Sequence, residues 1–154
     1  MQSDCKLEHQ TAQPTLSLRF QAPLAGLASE FRRAYAALGA YLEEVGAHRS
    51  GPAFAIYHGR DSSALDVEAG FVIARPAQGR GEIRAGALAE GELVTTIHTG
   101  PYETIGATYS ALMDWTHGNG LTGAGPCAEF YLDDPVTTPP AQLRTKLVLP
   151  VEAA

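Results

Sequence analysis

Residues 124–133, AGPCAEFYLD, repeat residues 50–59, SGPAFAIYHG, with glycine, proline and tyrosine in register and Glu129 standing where the first copy has Ala55. Successive side chains of a strand point to opposite faces. Phe54, Ile56 and His58 therefore share one face, and Ala53, Ala55 and Tyr57 the other. The larger apolar set is expected to meet a helix. Carried into the second copy, this puts Ala128, Phe130 and Leu132 under a helix and Cys127, Glu129 and Tyr131 on the opposite face.

The flanks repeat in the same order. TLSLRF at 15–20 alternates as a half-buried strand does, with Pro14 near its start. Leu24, Leu27, Phe31, Tyr35, Leu38, Leu42 and Val45 fall three or four apart, one face of an amphipathic helix that Gly46 ends. Strand-like runs at 52–58 and 65–74 flank the polar turn GRDSS and read as a hairpin. A turn about 61 and 62 would pair Ala55 with Glu68, Tyr57 with Asp66, Phe54 with Ala69 and Ile56 with Val67. The glycine-rich stretch 76–91 is a connection with a short strand at 83–85.

The second half opens with a strand at 93–99 and a helix starting at Pro101, a residue suited to a first helical turn. Ile105, Tyr109, Leu112 and Trp115 or Thr116 share its apolar face. GNGLTGAG at 118–125 ends the helix. A strand at 127–132, the loop DDPVTTPPAQ and a last strand at 143–150 follow. Residues 1–12 read as a loose leader or the ragged start of a strand. The expected fold class is α+β: one domain over 1–154, with strand-helix-strand-strand modules duplicated over 13–75 and 92–151. Its antiparallel sheet would carry both helices on one face and a ligand groove on the other.

In that arrangement Glu68, Glu129, Tyr57 and Tyr131 look into one groove. A carboxylate beneath aromatic rings requires pairing, hydrogen bonding or protonation. A cationic ligand would meet that need, with tyrosine rings adding about 0.5–2 kcal/mol of cation–π attraction. The structural alternatives are an ion pair of Glu129 with Arg144 or Lys146 on the neighbouring last strand, and a solvated Glu68 beside Asp66. His98 in HTGPYE reads as a strand-end histidine near the second helix or as a groove residue, and Trp115 as a core residue or a groove rim.

Composition narrows the function classes. A formal net charge of -6 with scattered Lys and Arg supplies no basic stripe for nucleic acid. No apolar run approaches the roughly 20 residues that cross a bilayer, and MQSDCKLEHQ lacks a signal peptide's apolar region, so the reading is cytoplasmic. Cys5 and Cys127 make no disulfide framework. His58, His98 and His117 share no metal-ligand spacing, Ser62 and Ser63 beside His58 lack a nucleophile elbow, and GRGE at 79–82 is no phosphate loop. Neither a metal nor a cofactor is expected.

IHTGPYETIG at 97–106, the Trp115 helix, AEFYLDDP at 128–135 and TPPAQLRTKLVLPV at 138–151 together resemble the GyrI-like small-molecule-binding family, which also supplies the effector-binding domain of AraC-type and MerR-type multidrug regulators. QPTLSLRF, AIYHG and LDVEAGFVI fit the front half, so the resemblance spans 6–151. It implies tandem modules around a pseudo-twofold axis, an acidic groove residue at Glu129, and aromatic neighbours at Tyr131, Tyr102 and Trp115. The family often has a tryptophan just before the glutamate, where this chain has Cys127 and Ala128.

Members of that family bind lipophilic, often cationic, aromatic compounds, regulate transcription through an attached DNA-binding domain, restrain DNA gyrase, or hydrolyse cyclopropane-containing toxins. With no helix-turn-helix segment, the chain is expected to stand alone as a drug or toxin sensor or sequestering protein, monomeric or homodimeric. The alternative is a hydrolase with Glu129 as acid or base and Tyr131 or Tyr102 donating to the leaving oxygen. A second alternative is a partner of gyrase or of a separate regulator.

Overall fold

The computed structural model describes residues 4–60 and 63–154, so the expected hairpin turn at 61 and 62, with Ser62, lies outside the described residues. The α+β class holds: among the described residues there are nine antiparallel strands and two α-helices, in two compact units. One unit is Thr11–Ala89; the other joins Glu90–Ala154 with the segment ending at Gln10.

The N-terminal segment forms β1 (Lys6–Gln10), which pairs with a strand of the C-terminal unit. The N-terminal unit then runs β2 (Gln13–Ala22), a 3-10 turn at Leu24–Gly26, α1 (Leu27–Val45), β3 (Arg49–Arg60), β4 (Leu65–Ile73) and β5 (Ile83–Leu88). Its strands lie in the order β3-β4-β2-β5. The C-terminal unit continues with β6 (Gly91–Thr99), a 3-10 turn at Tyr102–Thr104, α2 (Ile105–Gly118), β7 (Leu121–Gly123), β8 (Ala128–Tyr131) and β9 (Arg144–Ala153). Its order is β1-β6-β9-β8, with β7 pairing the far end of β9. In each unit the third strand of the module lies between the other two, and an extra strand edges the first.

α1 ends where its apolar period ends. Gly46 takes the left-handed conformation at φ 69°, and the Ala47 N–H returns to the Leu42 carbonyl at 2.9 Å, a turn that glycine makes without steric penalty. α2 begins later than expected. Pro101 is extended, with ψ 155°, and caps the 3-10 turn rather than opening the helix. Glycine richness concealed β7 inside GNGLTGAG.

The β3–β4 register differs by one residue from that expected. Phe54 pairs with Gly70, Ala55 with Ala69, Ile56 with Glu68 and Tyr57 with Val67, and a bulge between Tyr57 and Gly59 brings Gly59 opposite Asp66. A one-residue change exchanges the faces of a strand. Val67, Ala69 and Phe71 pair with Phe20, Leu18 and Leu16 of β2, and this side meets α1 through Phe20–Phe31 and Tyr35–Phe71 ring contacts at 5.5 and 5.6 Å. Ala53, Ala55 and Tyr57 therefore face α1, while Phe54, Ile56 and Glu68 lie on the side away from it. Tyr57 and Glu68, expected side by side, occupy opposite faces.

The C-terminal unit builds its core between α2 and the sheet from Val94, Leu112, Leu147, Leu149 and Val151, with Ile105, Tyr109, Trp115, Leu121, Cys5 and Cys127 packed against it. The helical period of the sequence and the helix–sheet contact agree here.

Candidate functional site

The side of the C-terminal sheet that meets α2 is defined residue by residue. β9 presents Thr145, Leu147 and Leu149 there; β6 pairs His98, Thr96 and Val94 with them. β8 pairs Tyr131 with Thr145 and Glu129 with Leu147. Glu129 therefore lies on the side of α2, not on the opposite face as the strand pattern suggested. Its counterpart in the repeat, Ala55, faces α1 and is 0% exposed, whereas Glu129 is 7% exposed. A carboxylate replaces an interior alanine.

Two tyrosines hold it. Tyr109, on the buried stripe of α2, donates its hydroxyl to Glu129 Oε2. Tyr131, two residues along β8, donates to Oε1 at 2.9 Å. Burial pushes the Glu129 carboxyl above the usual glutamate value, opposed in part by the bonds from Tyr109 and Tyr131 and by the charge of His98. The neutral acid and the carboxylate are thereby brought closer in free energy at this position.

Tyr102 projects from the 3-10 turn and meets Tyr131 edge to face, ring centroids 6.1 Å apart at 76°, a favourable geometry for two quadrupoles. It is 39% exposed. Burial, and then the negative charges of Glu129, Asp133 and Asp134, raise its phenol pKa. Its hydroxyl therefore stays protonated as a donor at neutral pH.

His98 ties this turn to the sheet. The Pro101 carbonyl can only accept, so His98 Nε2 donates to it, at 3.0 Å, and Nδ1 meets Thr108 Oγ1 of α2 at 2.7 Å. Thr104 also donates to the Pro101 carbonyl, at 2.9 Å. The histidine is thus an anchor for the start of α2.

The structure brings together Glu129, Tyr131 and Tyr102. Trp115, like Tyr109, packs against the apolar cluster. The alternative ion pairs of Glu129 do not form among the described residues: Arg144 binds Asp133 at 2.9 Å and Lys146 lies 3.6 Å from Glu8. Lys146 pairs with Phe130 and so occupies the other face of β9 from Leu147. Glu68 is not simply solvated: Ser17 donates to it at 2.6 Å and His58 Nε2 lies 2.7 Å from its other oxygen. That cluster is internal to the N-terminal unit, on the side away from α1.

Tyr109 is not named as part of a ligand site by the sequence, and His98, read there as a strand-end histidine or a groove residue, anchors the start of α2 through Pro101 and Thr108. A signal existed for Tyr109, because a tyrosine on an apolar helix stripe needs a partner for its hydroxyl. Cys127, next to the glutamate strand, has its thiol pushed up to about 11 by burial and then by Glu129. Among the described residues no His, Cys, Asp and Glu group could hold a metal ion, and no helix is long and apolar enough to cross a membrane.

A family model described as a GyrI-like small molecule binding domain matches residues 3–152. No curated protein matches the chain. Among solved structures, the EcmrR C-terminal domain is 23% identical with a TM-score of 0.87, covering 100% of both chains. The chain spans 58% of the length of the EcmrR chain in an EcmrR–DNA complex. A hydrolase from Listeria innocua is 17% identical with a TM-score of 0.73, covering 98% of this chain and 93% of that one. SAV2435, bound to tetraphenylphosphonium, is 12% identical with a TM-score of 0.70, covering 97% and 94%. At these identities the likeness is one of fold.

Proposed function

The chain belongs to the GyrI-like small molecule binding domain family, and we propose that its ligand is a lipophilic, aromatic cation whose charge is met by Glu129. The observation that carries this reading is a buried carboxylate bonded to two tyrosine hydroxyls, with no lysine or arginine bridging to it among the described residues. A buried anion without a cation is unfavourable, and a guest of opposite charge relieves it. Tyr131 and Tyr102 supply ring faces and edges for an aromatic guest. A lipophilic cation on a relative of the same fold, SAV2435 with tetraphenylphosphonium, is consistent in chemistry.

Tyr102, 39% exposed and in edge contact with Tyr131, is the most accessible ring beside Tyr131. Glu68 and Tyr57 are not needed for this reading. The role is one of sensing or sequestration, with the ligand unchanged.

A second reading uses the raised carboxyl pKa. A carboxyl poised nearer neutrality beside two phenol donors can exchange a proton with a bound substrate, as a hydrolase of strained small-molecule electrophiles requires. Titration with tetraphenylphosphonium, followed by the fluorescence of Trp115, the chain's one tryptophan, separates the two together with mass spectrometry of a cyclopropane-containing electrophile. Receptor function gives saturable quenching weakened at least about tenfold in Glu129→Gln, with the electrophile recovered intact. Catalytic loss of the electrophile that stops in Glu129→Gln would establish the hydrolase instead.

A further inference from the structure

Thr145 is wholly buried, at 0% exposure, and its Oγ1 has no hydrogen-bond partner among the described residues. Buried hydroxyls without partners are rare in native proteins and require an explanation. Valine has the same shape and would remove the unpaired hydroxyl. Thr145 is also placed with care: on β9 it pairs with His98 on one side and Tyr131 on the other, on the side of the sheet that meets α2.

Glu129 pairs with Leu147, two residues along β9. Thr145 and Glu129 are thus diagonal neighbours on one face, about 7–8 Å apart at the backbone and closer at their side chains. The row holds a carboxylate whose oxygens each retain a lone pair after accepting one tyrosine hydroxyl, and a threonine oxygen able to accept another donor. Two acceptors that are diagonal neighbours on one face of the sheet favour a guest that can donate as well as carry charge.

We infer that Thr145 is a specificity-determining residue of the Glu129 site and that the ligand is a protonated amine, its N–H bonding Glu129 and Thr145 Oγ1. This rests on the cation reading of the site. A quaternary cation offers charge and rings but no N–H, so it leaves the threonine oxygen unpaired. A site built around polar acceptors discriminates against an analogue lacking the donor.

The test compares a diphenylmethyl-substituted tertiary amine, protonated at pH 7, with its N-methyl quaternary salt, by calorimetry on wild type, Thr145→Val and Thr145→Ser. Wild type is expected to bind the amine about tenfold more tightly or better, which corresponds to about 1.4 kcal/mol. Thr145→Val should bind both cations alike, at the quaternary salt's wild-type affinity, with a Tm at or above wild type. Thr145→Ser should restore the preference.

Equal binding of the two cations by wild type would overturn the inference while leaving the cation site standing. So would a preference undiminished in Thr145→Val. Failure of both cations to bind wild type would overturn the cation reading itself, and this inference with it. The wild-type comparison decides even if a variant does not fold.

Discussion

The hydroxyl of Tyr109 on α2 bonds Oε2 of Glu129 on β8, joining the apolar stripe of a helix to the one carboxylate in the strand beneath it. Tyr131 meets the other oxygen. The pair of bonds makes the interior glutamate tolerable and couples the position of α2 to its ionisation.

Removing the helix partner exposes that coupling. Tyr109→Phe keeps the ring and its packing but leaves one buried Glu129 oxygen without its donor. The expected loss is about 1–3 kcal/mol of unfolding free energy, measured by urea denaturation at pH 7. A change below a few tenths would mean that the bond carries no stability.

Stability should also fall as pH rises, through Glu129. Its carboxyl pKa is raised in the folded chain, burial being the chief cause. Between the ordinary glutamate value and the raised one, the folded state binds more protons than the unfolded state. The stabilisation is therefore complete below the ordinary value and is lost as pH rises through the folded one. Urea midpoints of wild type and Glu129→Gln, followed from pH 4 to 8, should diverge in favour of the variant as pH rises. Parallel curves would show that Glu129 titrates normally.

Cys127 should resist alkylation. With its thiol pushed up to about 11, it is ionised to roughly 0.1% at pH 8, and the thiolate is the nucleophile. Iodoacetamide labelling of this cysteine, followed by peptide mass spectrometry, should be far slower in the folded protein than in urea. Equal rates would place the thiol in water.

Gly70 on β4 lies against the Phe54 ring of β3. A Cβ there would meet Phe54 Cζ at 2.6 Å and the Leu16 carbonyl at 2.9 Å, whereas one on Gly39 of α1 meets nothing within 4 Å. Gly70→Ala should destabilise by about 1–3 kcal/mol, and Gly39→Ala should stabilise by roughly 0.5–1 kcal/mol through helix propensity. Denaturation of the two variants checks both signs, and a neutral Gly70→Ala would refute the register that places Phe54 over this glycine.

Both helices and the duplicated order of elements are legible in the chain. Local signals carry them: apolar residues three and four apart, Gly46 at a helix end, and one motif written twice. In the sequence β1 is only a leader or ragged strand start, because KLEHQ has a weak alternation and gains its place from pairing with β6. The β7 strand was hidden because LTG holds little beyond its ladder to β9.

What the sequence by itself determined is which residues are chemically unusual: Glu129 in an apolar strand, with Tyr131 beside it and Tyr102 in GPYE. Only the tertiary structure decided which way they point. AEFY has an apolar or aromatic residue on each face, so its period of two cannot choose between them. The choice follows from the β8–β9 register, which sets Glu129 beside Leu147 on the side of α2, and from Tyr109, twenty residues away in the chain, which supplies its hydrogen bond. In the N-terminal unit the same period, shifted by a bulge after Tyr57, separated Tyr57 from Glu68. Register is a property of paired strands, and no single strand encodes it.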